Sequence, residues 1–320
     1  MLDITKGILI APEYDNIEPL GNNYIVHANG KTGMISNSGN TVIEVKYDNI
    51  KLYDSPNQYY VCLNGKWGII DTAKGMLIAP EYDSIKPYGD NLIVSNDGKT
   101  GIISITGSVI MDIKYKSINS YHAYCSFAEN NSVPNDNLVL QNQDGTYSIY
   151  SKTKNAVTLT GIQNFGDELY GNGVKVKKDG KWGLLSKNAE LILPCQYTDI
   201  KKRGADSDMV YIFNNGIGIA RTQYCNSAKV IIPIGHFDSI KNEYESHYVV
   251  GTKGNKIGIY AKANQTLTPL IIGNDYFTYG DKIYLGSETT ISCYNKNGKL
   301  IGTHKGKAGV KAFLERTMYQ

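Results

Sequence analysis

Residues 59–91 read YYVCLNGKWGIIDTAKGMLIAPEYDSIKPYGDN, and this stretch decides the fold. Its segments YYVCL and WGIID are rich in residues that favour β-strands, and Asn64-Gly65 between them suits the two-residue turn of a hairpin. A second turn before Gly75 leads to a third strand, MLIA, which Pro80 ends because proline lacks a ladder donor. A short fourth strand can follow in the segment EYDSI. The stretch predicts three or four antiparallel strands and no helix.

The same pattern recurs along the chain. Taken at the turn glycine, the copies are spaced by 35, 33, 47 and 35 residues, at Gly30, Gly65, Gly98, Gly145 and Gly180. Weaker copies follow at 214–218, 253–258 and 287–292. The total is about eight units, and a period of this length is typical of solenoids, propellers and other repeat arrays.

The segment NGKTG at residues 29–33 looks like the end of a nucleotide-binding P-loop. A P-loop also needs a glycine five residues before its Gly-Lys pair, where this chain has Ile25 and, in a second copy, Ile93. In the copies at 64–68 and 179–183 the threonine is replaced by tryptophan, which cannot bind magnesium. We therefore interpret the segment as a hairpin turn and predict no nucleotide cofactor.

Two other features recur in the units. The second glycine of each GKxG segment lies inside a predicted strand, which indicates a bulge or a close approach of two backbones, at 33, 68, 101 and 183. A Tyr-Asp pair closes the better units, at 14–15, 47–48 and 82–83. We predict that its aspartate caps a turn by accepting backbone N–H groups. A catalytic carboxylate would be needed once per site and not once per repeat.

GKWGIID followed by LIAPEYDSI resembles the WG-repeat family, which is named for its Trp-Gly pair. The resemblance covers roughly residues 7–305. It implies a β-repeat protein of bacterial or phage origin, of a kind thought to form propellers and regarded as an interaction module. It implies no particular activity.

The predicted fold class is all-β, a β-propeller of about eight repeats, with seven blades or an open β-repeat stack as alternatives. We predict one propeller domain over residues 1–306 and a short C-terminal helix within 307–320. The chain begins with half a unit and ends with a unit that lacks that half. We therefore expect residues 7–20 to pair with strands in 283–304 and close the ring.

Composition limits the partners. The net charge is +3 and only three residues are arginine, so we expect no nucleic-acid binding. No apolar run reaches the ~20 residues of a membrane helix, so we expect no membrane insertion. The five cysteines form no CxxC pair, which predicts free thiols and no metal site. These thiols fit a protein of the cytoplasm or of a larger assembly, and secretion would require a removed leader.

The sequence contains no catalytic constellation, so we expect no enzyme. The hypothesis that fits best is a non-catalytic binding or scaffold module that mediates protein–protein interaction. The alternatives are a carbohydrate or cell-wall binding protein and a structural subunit of a large assembly such as a surface layer or a virion. A propeller glycosidase is less favoured, because its site needs converging carboxylates.

An insertion at 119–137 interrupts the repeat, and smaller ones lie at 201–208 and 241–247. In repeat proteins such insertions often map to the binding face. The largest holds four candidate partner-binding residues, which we expect to have no core to fill because the repeat supplies its own: Tyr121, His122, Tyr124 and Phe127. The alternative is that these rings fold back and fill the gap beside the fourth unit.

Overall fold

The computed structural model describes residues 2–3, 7–8, 13–53, 57–125, 137–169, 171–204, 208–223, 225–241, 247–287 and 289–305. Apart from a 3₁₀ turn at Tyr121–Ala123, the regular elements of these residues are strands. The predicted all-β class, built from repeated antiparallel sheets, is confirmed. The predicted C-terminal helix in 307–320 lies outside the described residues.

The chain divides into two compact units. The first comprises residues 1–118 and 140–145, and the second comprises 119–139 and 146–320. The chain passes between them within two strands of the fourth repeat, Ser117–Ser120 and Leu138–Gln141. Each unit is built from antiparallel sheets that follow one another along the sequence.

The first unit contains a short hairpin and three four-stranded sheets. The hairpin strands are β1 (Leu2–Asp3) and β2 (Gly7–Ile8). The sheet strands are β3 (Asn16–Leu20), β4 (Asn23–Ala28), β5 (Lys31–Ser36), β6 (Thr41–Tyr47), β7 (Asn49–Leu52), β8 (Gln58–Leu63), β9 (Lys66–Asp71), β10 (Gly75–Tyr82), β11 (Ser84–Tyr88), β12 (Asn91–Asn96), β13 (Lys99–Ser104) and β14 (Val109–Tyr115).

A seven-stranded sheet follows, and one long strand makes it two repeats. Ala156–Leu169 pairs through its first half with Tyr147–Ser151 and through its second half with Gly173–Lys178. The strands of this sheet are β15 (Ser117–Ser120), β16 (Leu138–Gln141), β17 (Tyr147–Ser151), β18 (Ala156–Leu169), β19 (Gly173–Lys178), β20 (Lys181–Leu185) and β21 (Leu191–Tyr197).

Three further sheets complete the second unit. In the middle one, the fourth strand is split into two short pieces that both pair with Lys256–Ala261. The strands are β22 (Asp199–Lys202), β23 (Met209–Phe213), β24 (Ile217–Arg221), β25 (Lys229–Phe237), β26 (Ser239–Ile240), β27 (Tyr248–Lys253), β28 (Lys256–Ala261), β29 (Thr266–Leu267), β30 (Ile271–Ile272), β31 (Asp275–Tyr279), β32 (Lys282–Gly286), β33 (Thr290–Asn295) and β34 (Leu300–Lys305).

The described strands therefore form eight modules of four antiparallel strands, which we letter a to d in chain order. The first three modules are β3–β6, β7–β10 and β11–β14, and the fourth and fifth share β18. The last three are β22–β25, β26–β30 and β31–β34. Because successive strands are antiparallel, the a–b and c–d connections lie at one end of a module. The b–c turn and the junction to the next module lie at the other end.

The expected pairing of 7–20 with strands in 283–304 is wrong for the described residues. Asn16–Leu20 pairs with Asn23–Ala28, and Gly7–Ile8 pairs with Leu2–Asp3. The last module takes all four of its strands from residues 275–305. The first module needs Asn16–Leu20 as its own strand a, which leaves that strand unavailable for the last one. Closure of the ring stays a prediction.

Four of the b–c turns are the predicted two-residue turns. In the second module Asn64 and Gly65 have φ of 54° and 77°, as a type I′ turn requires. The same two positive values recur at Asn29-Gly30, Asp97-Gly98 and Asp179-Gly180. At Asp144-Gly145 only the glycine has a positive φ, and its N–H donates to the Asn142 carbonyl. The expectation of the same turn there is therefore wrong.

The second glycine of the GKxG segment lies where strand d crosses strand c closely. A Cβ on Gly68 would stand 2.4 Å from the Ile78 carbonyl oxygen and 2.7 Å from the Pro80 nitrogen. The pairing of β9 with β10 shifts register beside this point. The predicted bulge and close backbone approach are confirmed.

Candidate binding grooves between modules

The repeated aspartates and turn lysines join consecutive modules. Asp83, at the junction of the second and third modules, accepts a hydrogen bond of 2.7 Å from the N–H of Asp97 in the next b–c turn. The same carboxylate accepts a bond of 2.5 Å from Nζ of Lys66, which belongs to the b–c turn of the preceding module. Asp48 repeats both contacts, with the N–H of Gly65 and with Nζ of Lys31.

These contacts confirm that the aspartate of the Tyr-Asp pair caps a turn. Asp15 and Asp238 accept the corresponding turn N–H groups of Asn29 and Gly254 at 2.9 Å. The hydrogen bond from Lys66 lowers the pKa of Asp83, with a further contribution from the Asp97 N–H. The Asp83 carboxylate therefore stays ionised at neutral pH and is engaged in holding a turn.

A groove of one type lies beside the first, second and sixth modules. It is bordered by strands a, b and c of one module and by the first residues of strand a of the next. Three examples form distinct cavities, of about 470 Å³ beside the first module, 220 Å³ beside the second and 660 Å³ beside the sixth. We call these groove 1, groove 2 and groove 6.

Groove 2 combines aromatic rings with a cation. Tyr60 and Trp67 line it from strands b and c, and their ring centroids lie 6.4 Å apart in an edge-to-face arrangement. Nζ of Lys51, on strand a, stands 5.1 Å from the centroid of the Trp67 ring. Ser84 and Ile85 of the third module form the opposite wall. The groove thus offers apolar surface and one positive charge.

Groove 6 has the same construction with other aromatics. Tyr211 and Phe213 lie on strand b, with ring centroids 6.3 Å apart, and Nζ of Lys201 stands 5.5 Å from the Phe213 centroid. Ser239 and Ile240 occupy the positions of Ser84 and Ile85. Both grooves thus offer apolar walls and a lysine, but Lys201 in groove 6 also lies 3.7 Å from the Asp199 carboxylate.

Groove 1 lacks the aromatic rings. Ile25 and Thr32 stand where groove 2 has Tyr60 and Trp67, and Glu18 stands where it has Lys51. The Thr32 hydroxyl lies 3.2 Å from Nδ1 of His27. The modules thus share one cleft whose lining differs from copy to copy.

In the fifth module the equivalent tryptophan is covered by the protein itself. A Cβ on Gly166 would lie 2.8 Å from Cζ3 of Trp182, so the indole lies directly over this glycine. Nζ of Lys175 stands 4.5 Å from the Trp182 centroid and 2.7 Å from the Asp199 carboxylate. The Lys175 ammonium, which rests on the Trp182 ring, is therefore already paired with a carboxylate of the protein itself.

The structure separates the residues predicted as a partner site in the 119–137 insertion. Tyr121 is buried among Val139, Ile149 and other core residues, and its hydroxyl donates to the Ser186 carbonyl at 2.9 Å. The premise that this ring has no core to fill is therefore wrong, because it fills the core of the second unit. Its assignment to a partner surface loses its support.

The other three predicted residues differ in position. His122 is exposed. Tyr124 is half-buried and packs on Phe165, with 4.5 Å between ring centroids, as the alternative of rings that fold back expected. Phe127 lies outside the described residues. Whether this segment binds a partner stays a prediction.

All three insertions fall in a–b connections, of the fourth, sixth and seventh modules, and therefore at the same end of their modules.

The grooves were missed from the sequence, because their walls come from strands far apart in the chain. A signal was present in the lysine three residues after the junction, at Lys51 and Lys201, in modules with an aromatic ring on strand b or c.

Other site types find little support in the described part of the chain. It holds no group of three or more His, Cys, Asp or Glu side chains placed to bind a metal ion. None of its helices is long and apolar enough to cross a membrane. The five cysteines are free thiols in the structure, and four of them are buried.

Comparison with solved structures gives remote likenesses. The chain is similar to a eukaryotic initiation factor at 10% identity, covering 95% of this chain and 90% of that one, with a TM-score of 0.31. It is similar to BamB from Moraxella catarrhalis at 12% identity, covering 91% and 88%, with a TM-score of 0.24. The apo form of AztD from Citrobacter koseri follows at 9% identity, covering 92% and 86%, with a TM-score of 0.23. Scores this low say nothing about function.

No curated protein matches the chain. The family model of the WG containing repeat matches twice, at residues 33–67 and 67–99. Each match begins in strand c of one module and ends in strand c of the next, and so includes one Tyr-Asp junction. Over residues 33–99 the repeat seen in the sequence is therefore similar to the WG containing repeat.

Proposed function

We propose that the chain is a non-catalytic binding module that holds a protein partner in the grooves between its modules. The observation that carries the proposal is the recurrence of one cleft with apolar walls and a lysine, in groove 2 and groove 6. Aromatic side chains are favoured at protein interfaces, where a few of them supply most of the binding energy. The five free thiols fit a reducing compartment.

The repeated carboxylates support a binding role over a catalytic one. Asp48 and Asp83 each accept a turn N–H and a lysine ammonium, so both are held as structural joints. A general acid or base needs a carboxyl group that faces a substrate and titrates near the working pH, whereas the pKa of each of these is lowered.

A carbohydrate ligand is the second candidate. Groove 6, at about 660 Å³, is large enough for a sugar, and its Tyr211 and Phe213 rings could stack on one. The two candidates predict different products for a photoreactive side chain placed in the groove, a protein adduct for the first and a carbohydrate adduct for the second.

Site-specific photo-crosslinking tests the proposal. The photoreactive residue p-benzoylphenylalanine replaces Ile85 in groove 2 or Ile240 in groove 6, and the variants are irradiated in cells that encode the chain. Ile110 is the matched control, since it is an isoleucine 46% exposed on an outer strand d, away from the grooves. We expect protein adducts from positions 85 and 240 and none from 110. Adducts that stain only as glycans, or protein adducts at 110 alone, would overturn the proposal.

A further inference from the structure

In one copy of the groove, the lysine and tryptophan lie beside an anionic side chain of the protein itself. In the fifth module Lys175 is only 12% exposed and lies between the Trp182 ring and the carboxylate of Asp199. Asp199 is the first residue of strand a in the next module. An anion at this position therefore balances a lysine that rests on the indole.

Groove 2 has the same ring without the anion. Trp67 occupies the position of Trp182, because Trp67 pairs with Tyr82 as Trp182 pairs with Tyr197. The position of Asp199 is held by Ser84, the first residue of β11. In groove 2 the lysine over the ring is Lys51, on strand a, whereas in the fifth module it is Lys175, on strand b. Lys51 is exposed, and no carboxylate among the described residues lies within salt-bridge distance of it.

The neighbouring turn lysine, Lys66, differs from Lys51 because it is held within the fold. Nζ of Lys66 is held by the Asp83 carboxylate at 2.5 Å and by Oδ1 of Asn96 at 2.7 Å. It is therefore occupied within the fold. Lys51 has the Trp67 ring as its partner and remains able to bind an external anion.

We propose, building on the proposed function, that groove 2 takes an acidic side chain of an extended segment of the partner protein. The carboxylate lies between Lys51 and Ser84, where Asp199 lies in the fifth module, and an apolar neighbour lies against Tyr60 and Ile85. The cavity of about 220 Å³ is smaller than the ~300–1,000 Å³ typical of small-molecule sites. It therefore suits a single side chain better than an oligosaccharide.

The test begins with an array of random five-residue peptides probed with the whole chain, followed by affinity measurements on the selected peptides. Trp67 fluorescence reports binding in a Trp182→Phe background, since the chain has two tryptophans. We expect selected peptides to share an Asp or Glu at one position. Replacing that residue by its amide should weaken binding roughly fivefold, as expected for one partly exposed ion pair.

Three variants locate the site, with folding checked by thermal melts. Lys51→Met removes the charge and keeps the side chain's packing on Trp67, and Ser84→Asp supplies an internal carboxylate as in the fifth module. Both should abolish the preference for acidic peptides. Lys86→Met is the matched control, because Lys86 holds the position of Lys51 in the third module, where Thr100 replaces the tryptophan. It should leave the preference unchanged.

Several outcomes would overturn this inference. They are selection of no peptide, selection without an acidic position, an unchanged preference in Lys51→Met, and displacement of the peptide by oligogalacturonate at lower concentration than by free peptide. Protein crosslinks from Ile85 with no acidic preference would reject the carboxylate and leave the proposed function standing. Absence of protein crosslinks would reject both.

Discussion

Gly68→Ala tests whether the close approach of strands c and d explains the glycine of the Trp-Gly pair. The three atoms nearest to the added Cβ would all be backbone atoms of strand d, at 2.4 to 2.8 Å. Backbone cannot move aside as a flexible side chain can, so strand d must shift or lose a ladder hydrogen bond. Overpacking costs about 1–3 kcal/mol and a lost hydrogen bond about 1 kcal/mol. We expect the free energy of unfolding to fall by about 2–4 kcal/mol.

Gly258→Ala is the matched control, because Gly258 occupies the same position on strand c of the seventh module. There the fourth strand is split, and the added Cβ would meet Cδ2 of Leu270 at 3.0 Å, with the next atoms, of Phe237 and Pro269, at 3.6 Å. A leucine side chain can rotate away, so we expect a cost below about 1 kcal/mol. The two variants share the intrinsic Gly-to-Ala effect, and their difference reports the close approach.

Urea denaturation followed by far-UV circular dichroism compares the two variants. Intrinsic fluorescence follows Trp67 and Trp182 in parallel, because repeat arrays can unfold in parts. A cost for Gly68→Ala within about 0.5 kcal/mol of that for Gly258→Ala would refute the reasoning.

Four further predictions concern the joints, the core and the excluded sites. Tyr121→Ala should destabilise the second unit by about 3–5 kcal/mol in urea melts, as for other buried aromatic residues. Tyr121→Phe should cost about 1–2 kcal/mol because it leaves the Ser186 carbonyl unpaired. No loss of stability in either variant would restore Tyr121 as a surface residue. The pKa of Asp83 is lowered from 3.8, so its stabilisation is present above that pH and is lost as the pH falls through the lower folded value. Urea midpoints below pH 3.8 should therefore fall more steeply for the wild type than for Asp83→Asn, and parallel curves would contradict this. Burial raises the pKa of Cys225 to about 11, so its thiol should resist iodoacetamide at pH 8 until urea unfolds the protein, and rapid labelling of the native chain would contradict its burial. Calorimetry with ATP and magnesium should show no binding, since Lys31 bonds Asp48, and saturable heat lost in Lys31→Ala would reverse that conclusion.

The parts of the fold that depend on neighbouring residues could be predicted from the sequence. Asn64-Gly65 and Gly68 indicate the turn and the bulge because their chemistry acts within one hairpin. The module boundaries were less clear, since the sequence was aligned on the turn, whereas each module begins after the Tyr-Asp junction. Ala156–Leu169 serves as strand d of the fourth module and as strand a of the fifth, and no feature of its own sequence indicates this double role.

The grooves depend on register and could not be predicted in the same way. Lys51, Trp67 and Ser84 come from three strands of two modules, and only the pairing of those strands brings them together. For Tyr121, the length of the insertion revealed an added loop but not that its first turn folds back into the core. The same repeat position can therefore hold an open site in one module and a closed contact in another.

The measurement that tests binding in the grooves most directly is hydrogen–deuterium exchange of the full chain, alone and with the protein captured by the crosslinks. Binding in groove 2 should slow exchange in the strands that line it, at 49–52, 58–63 and 84–88. Exchange in the outer strands at 75–82 and 109–115 should be unchanged. Protection confined to those outer strands, with the groove strands unchanged, would contradict it.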